Sequence, residues 1–99
     1  MQTIGLKNGY TAQVVEKFNH FAKVRQDLFG IIDVLAFHNE SKEILGVQCT
    51  SLSNFSSRKT KVLGSDTLLP WLQAGGKFEV HGWFKKEGKW EVRRERLVA

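Results

Sequence analysis

With one cysteine, one proline and no apolar run long enough to cross a bilayer, this 99-residue sequence is excluded from several architectures at once. Cys49 has no second thiol for an internal disulfide and no companions for a zinc cluster, so a reducing cytoplasm is the expected compartment. The opening Met1-Gln2-Thr3-Ile4-Gly5 lacks the basic and apolar blocks of a signal peptide, and the chain is expected to stay where it is made. His20, His38 and His81 fall at no metal-ligand spacing; they read as a solvated residue, a turn residue and the polar face of a strand. No internal repeat or low-complexity linker interrupts the chain. No paired aromatic motif on adjacent strands is evident, which counts against an RNA-binding β-rich domain.

The totals are those of one globular domain with a single modest core, at 41% hydrophobic and 25% charged residues. The net charge of +5 is unevenly placed. Residues 1–52 balance Lys7, Lys17, Lys23, Arg25 and Lys42 against Glu16, Asp27, Asp33, Glu40 and Glu43. Residues 53–99 set ten Lys or Arg against Asp66, Glu79, Glu87, Glu91 and Glu95, so the whole excess lies in the second half. A polyanion is the natural partner of so asymmetric a surface, and nucleic acid is the commonest one.

Residues 3–8 fit a short helix stopped by Gly9. Residues 11–24 fit either a first strand, TAQVVEKF, or a helix with Val14, Val15, Phe18, Phe21 and Ala22 on one face; periodicity leaves both open. Residues 30–37 and 44–50 read as two apolar strands joined by the turn His38-Asn39-Glu40-Ser41-Lys42. Ser53-Asn54 offers an N-cap for a helix from Phe55 that Gly64-Ser65-Asp66 breaks. A short helix over 67–74 follows, with Pro70 in its first turn and Gly75-Gly76 as its stop. Residues 77–84 alternate as a strand, with Phe78, Val80 and Phe84 on one side and Glu79, His81 and Trp83 on the other. A hairpin turn over 85–89 returns a last strand over 90–98. Trp71 is expected in the core through its helix; Trp83 and Trp90 flank the hairpin and either pair across strands or contact a nucleotide.

The residue that stands out is Asp33. Ile, Val, Leu and Phe occupy both parities of the run 30–37, the pattern of a strand covered on both faces. An ionised carboxylate persists there beside a cation, a donor cluster or a bound metal. The bland alternative places it at the strand's mouth, partly hydrated and bonded to backbone amides.

Gly30-Ile31-Ile32-Asp33 leading one strand, Gly46-Val47-Gln48-Cys49-Thr50 in the next, and a basic helix after them resemble the PD-(D/E)xK nucleases. This restriction-endonuclease-like superfamily includes archaeal Holliday-junction resolvases. DLFGIIDVLAF, ILGVQCTS and WLQAGGKFEVHGWFKK together look like its small phage or prophage members, over roughly residues 9–97. The resemblance implies a single α/β (α+β) domain over residues 1–99. It would hold one mixed sheet of four to five strands, a short N-terminal helix, and a broken helix between strands 3 and 4. It also implies a DNA-binding, Mg²⁺- or Mn²⁺-dependent endonuclease that hydrolyses phosphodiesters, expected as a homodimer.

In that reading Asp33 is the charged metal ligand, Gln48 supplies a carbonyl oxygen where the family has a second acid, and the Cys49 backbone carbonyl joins them. A further oxygen comes from Asp27 or Glu16. Thr50 stands where the family has its lysine, and Lys59, ahead of Lys61, is the expected substitute. The Cys49 side chain is expected to face the core with Leu45 and Val47. Phosphate contacts are assigned to Arg25, Arg58, Lys59, Lys61, Lys85, Lys86, Lys89, Arg93, Arg94 and Arg96. The Gln48 and Thr50 replacements keep two rivals open: a DNA-binding module that has lost catalysis, and a small basic factor that binds an acidic protein.

Overall fold

The structure, a computed structural model, describes residues 9–98. The expected helix over 3–8 lies outside the described residues. Among the described residues, seven strands and two α-helices follow one another as β1 (Tyr10–Val14), β2 (Lys17–Asn19), β3 (Val24–Gln26), β4 (Val34–His38), β5 (Glu43–Ser51), α1 (Phe55–Leu63), α2 (Leu68–Gln73), β6 (Lys77–Lys86) and β7 (Lys89–Leu97), with a single 3-10 turn, Leu52–Asn54, between β5 and α1. This is a mixed α+β architecture. The main sheet runs β1-β4-β5-β6-β7, and β2 and β3 form a separate two-stranded ribbon.

Strand direction follows from connection length. The four-residue turn after His38 and the two-residue turn after Lys86 reverse the chain, so β4 and β5, and likewise β6 and β7, are antiparallel. Glu87 and Gly88 both have positive φ, 53° and 80°, the backbone that matches the twist of a two-residue hairpin. Between β5 and β6 the two helices take the chain across the sheet, and that pair is parallel.

The sheet divides the core. Ile32, Phe78, Val80 and Leu97 pack with Phe55 and Val62 of α1 and Leu68 of α2, while Val34, Ala36, Leu45 and Val47 cluster on the other face. Trp71 packs against the helical side, and its indole N–H donates to the Lys77 carbonyl at 2.8 Å. Gly46 lets the sheet close on this core, because a Cβ there would stand 2.7 Å from the Ile32 side chain. Cys49 packs with the second cluster, as strand parity predicts.

Of the two readings open for residues 11–24, strand is the one observed: β1 pairs with β4 along its whole length, the TAQVVEKF run is divided between β1 and β2, and Phe18 and Phe21 are exposed. Two expectations change. The central strand starts at Val34 rather than Gly30; Ile31 and Ile32 donate to the Leu28 carbonyl and close a turn in which Phe29 and Gly30 both have positive φ. His81 is 0% exposed, not on a wetted face, and its Nε2 lies 2.9 Å from Glu79. Glu79 is shared with Arg96, which also binds Glu43 at 3.0 Å, and Glu43 accepts from Tyr10 at 2.6 Å. The His81 contact first, and then Arg96, draw the Glu79 carboxyl down to about 2.

Candidate metal centre

Three elements bring three carboxylates together. Asp33 sits in the bend before β4, where its N–H donates to the Val47 carbonyl and its carbonyl accepts from Val15, tying it to β5 and to the end of β1. Glu16 and Asp27 sit at the base of the β2–β3 ribbon. The ribbon pairs Lys17 with Gln26, Phe18 with Arg25 and Asn19 with Val24, so one further step outward sets Glu16 opposite Asp27. Carboxylate oxygens of Glu16, Asp27 and Asp33 all lie within 4.8 Å of one another.

Asp33 is 7% exposed. Its Oδ2 accepts from the Cys49 N–H at 2.8 Å, beyond the last β4–β5 pair, Val34 with Val47. Its Oδ1 is buried without a hydrogen-bond partner among the described residues. Burial first, then the neighbouring Asp27, pushes the Asp33 carboxyl up from 3.8 to about 8, against the pull of the Cys49 amide. A carboxylate so placed binds a proton or a cation. The orphaned oxygen and the two facing acids fit a hard divalent ion, which takes oxygen ligands. Asp33, Asp27 and Glu16 are the residues that would hold it.

Gln48 is buried beside the acids and makes three bonds. Its Nε2 donates to Asp27 Oδ2 at 3.2 Å and to the Ile31 carbonyl at 3.0 Å, and its Oε1 accepts from Arg58 at 3.2 Å. Flipping the amide would set oxygen against oxygen and nitrogen against guanidinium, so the network fixes its orientation. The side chain therefore turns a donor, not the expected carbonyl oxygen, toward the acids. It links Arg58 to Asp27.

The cations are arranged differently from the sequence expectation. Lys59 forms an ion pair with Glu95 of β7. Lys61 instead lines an open cavity of about 510 Å³ with Arg25, Gln26, Asp27 and Gly30, at the margin of the carboxylates. Arg25 reaches Glu16 at 2.7 Å. Arg58, placed among the phosphate contacts, points inward to Gln48. Arg96 is clasped between Glu43 and Glu79. Thr50 is half-buried opposite Gly82, two residues beyond Gln48.

Lys85, Lys86 and Lys89 are exposed around the β6–β7 turn, which extends past the C-terminal end of β5. Because β4 runs against β5, the N-terminal end of β4 with Asp33 lies at that same end of the sheet. Lys85 covers the Trp90 ring at 5.5 Å, and Arg93 covers Phe55 at 4.5 Å. Trp83 faces Val92 and Trp90 faces Lys85, so the two indoles do not pair across the hairpin. The Cys49 thiol, pushed up to about 12 by burial and then by Asp33, is no nucleophile.

The linkage of Arg58 through Gln48 to Asp27 was not anticipated from the sequence. Its only trace there is the ten-residue step from Gln48 to the first turns of α1. Comparisons with protein-family models, curated proteins and solved structures give no match for this chain.

Proposed function

We propose that the chain is a DNA-binding, Mg²⁺- or Mn²⁺-dependent endonuclease with a restriction-endonuclease-like core. The observation that carries this reading is the buried Asp33 carboxyl, clustered with Asp27 and Glu16, one of whose oxygens has no hydrogen-bond partner among the described residues. The exposed lysines of the β6–β7 turn at the same end of the sheet, and the strand order β4-β5-α1-β6, support it as well. When bound, the divalent ion supplies charge neutralisation at a phosphate and a lowered pKa for an attacking water.

The chain's own residues do the remainder. Lys61 and Arg25 flank the open cavity and attract a phosphodiester to its mouth. Gln48 holds Asp27 in place through its N–H groups, and Arg58 locks Gln48 from α1. The acidic centre repels a polyanion until a cation binds, so DNA and metal bind cooperatively. One domain of this size covers little duplex, and a homodimer would present two such centres.

Cleavage of branched and plain DNA in Mg²⁺, Mn²⁺ or chelator tests the reading, with Asp33→Ala as the comparison. The proposal expects metal-dependent cutting that the variant abolishes; equal cutting by both proteins overturns it. A module that binds DNA without cleaving it is the second reading. It is favoured by the Gln48 carbonyl, which Arg58 takes, and by Thr50, which supplies no cation. Salt-sensitive binding with no product in Mn²⁺ would select it.

A further inference from the structure

The β2–β3 ribbon pairs with no other strand among the described residues, and nearly all of its residues are exposed. Isolated two-stranded ribbons are marginal in water, yet this one has a built turn. The Asn19 side chain accepts from the N–H groups of Phe21 and Ala22 at 2.9 and 3.0 Å, and Lys23 closes the reversal with a φ of 54°. That turn holds Phe21 at the tip, fully exposed. Phe18 and Val24 are about half exposed behind it.

The apolar side chains alternate with Lys17, Lys23 and Arg25, and residues 17–26 contain no acid. An aromatic tip within a cationic ribbon matches the needs of a nucleic-acid strand: charge for the backbone and a π-face for a base. The same pattern opposes self-association, since two ribbons would bring like charges together. The base of the ribbon is the Glu16 and Asp27 pair of the candidate centre.

We infer that this ribbon is a DNA-contacting arm whose Phe21 stacks on an unpaired base beside a duplex, directing the carboxylate centre to duplex that carries a single-stranded tail. The inference rests on the DNA reading above and adds the feature recognised. Strand rise puts the tip roughly 13–17 Å from the paired acids, the span of about four to five stacked nucleotides. Cleavage therefore falls about that many nucleotides from the first unpaired base.

The test is binding in chelator, where nothing is cut, to a short duplex with an oligo-dT tail and to the same duplex with blunt ends. The first unpaired position of the tailed probe carries 2-aminopurine. The full chain is expected to prefer the tailed probe and to quench its fluorescence. Phe21→Ala is expected to lose roughly 5- to 100-fold of affinity for the tailed probe alone, with the quench, and Phe21→Trp to retain both. Phe21→Ala binding both probes as the parent does overturns the arm while leaving the nuclease reading intact. Equal losses on both probes also overturn it, since the ring would then contact duplex. A parent protein that binds neither probe, in chelator or with Mn²⁺ added, removes the DNA reading beneath.

Discussion

Replacing Asp33 by Asn separates a carboxyl that waits for a cation from one that merely caps a strand. The amide keeps an oxygen for the Cys49 N–H and removes the charge that burial and Asp27 oppose. Because the folded protein holds its proton up to about 8 rather than 3.8, the unfolded chain releases that proton first as pH rises. The stability of the metal-free protein is unaffected by this group below the lower value and declines through the interval up to the higher one. At 1.36 kcal/mol per unit the ceiling is roughly 5–6 kcal/mol, and Asp27 and Glu16 are only half-buried, so about 3 kcal/mol is the working figure. Urea unfolding in chelator should show Asp33→Asn more stable than the parent at pH 8.5, by a midpoint shift of about 1–3 M, and the two converging near pH 4. Saturating Mn²⁺ should stabilise the parent by about 2.7 kcal/mol at a hundred times the dissociation constant and leave the variant unmoved. A variant that is less stable at every pH, or that responds to Mn²⁺ like the parent, refutes the reasoning.

Gln48→Glu adds a fourth acid beside Asp27; it should destabilise the metal-free protein by about 1–3 kcal/mol and tighten Mn²⁺ binding at least about tenfold by calorimetry. Arg96→Ala leaves Glu43 and Glu79 facing one another at a partly exposed site, costing about 1 kcal/mol in thermal unfolding, while the salt dependence of DNA binding stays as it was. Lys85→Ala should do the reverse, lowering the slope of log affinity against log salt by about one with no change in melting temperature. Gly46→Ala drives a methyl into Ile32 and should cost about 1–3 kcal/mol, seen as a melting temperature several degrees lower.

The two helices, the hairpin turns and the order of the last four strands were legible because their signals are local. Asn54 and Gly64 bracket α1, and Lys77–Lys86 alternates. Residues 11–24 were ambiguous because Val14, Val15 and Phe18 satisfy both periods. What decides the matter is pairing with β4, which no local window contains. Asp33 stands out as an acid in an apolar run, whereas Asp27 and Glu16 enter only through the resemblance, and the convergence of the three depends on the ribbon register. Lys59 and Lys61 were inseparable in sequence. Two residues along a helix is about half a turn, enough to send one to Glu95 and the other to the cavity beside Asp27. Arg96 reads as a phosphate contact in sequence because nothing local brings Glu43, on β5, within reach of β7.

Anomalous diffraction from a crystal of the protein soaked in Mn²⁺ bears most directly on whether these carboxylates form a metal centre. A peak within about 2.0–2.6 Å of the unpaired Asp33 oxygen, shared with Asp27 or Glu16, is the predicted result. A crystal that takes up manganese elsewhere and leaves Asp33 without a peak contradicts the account.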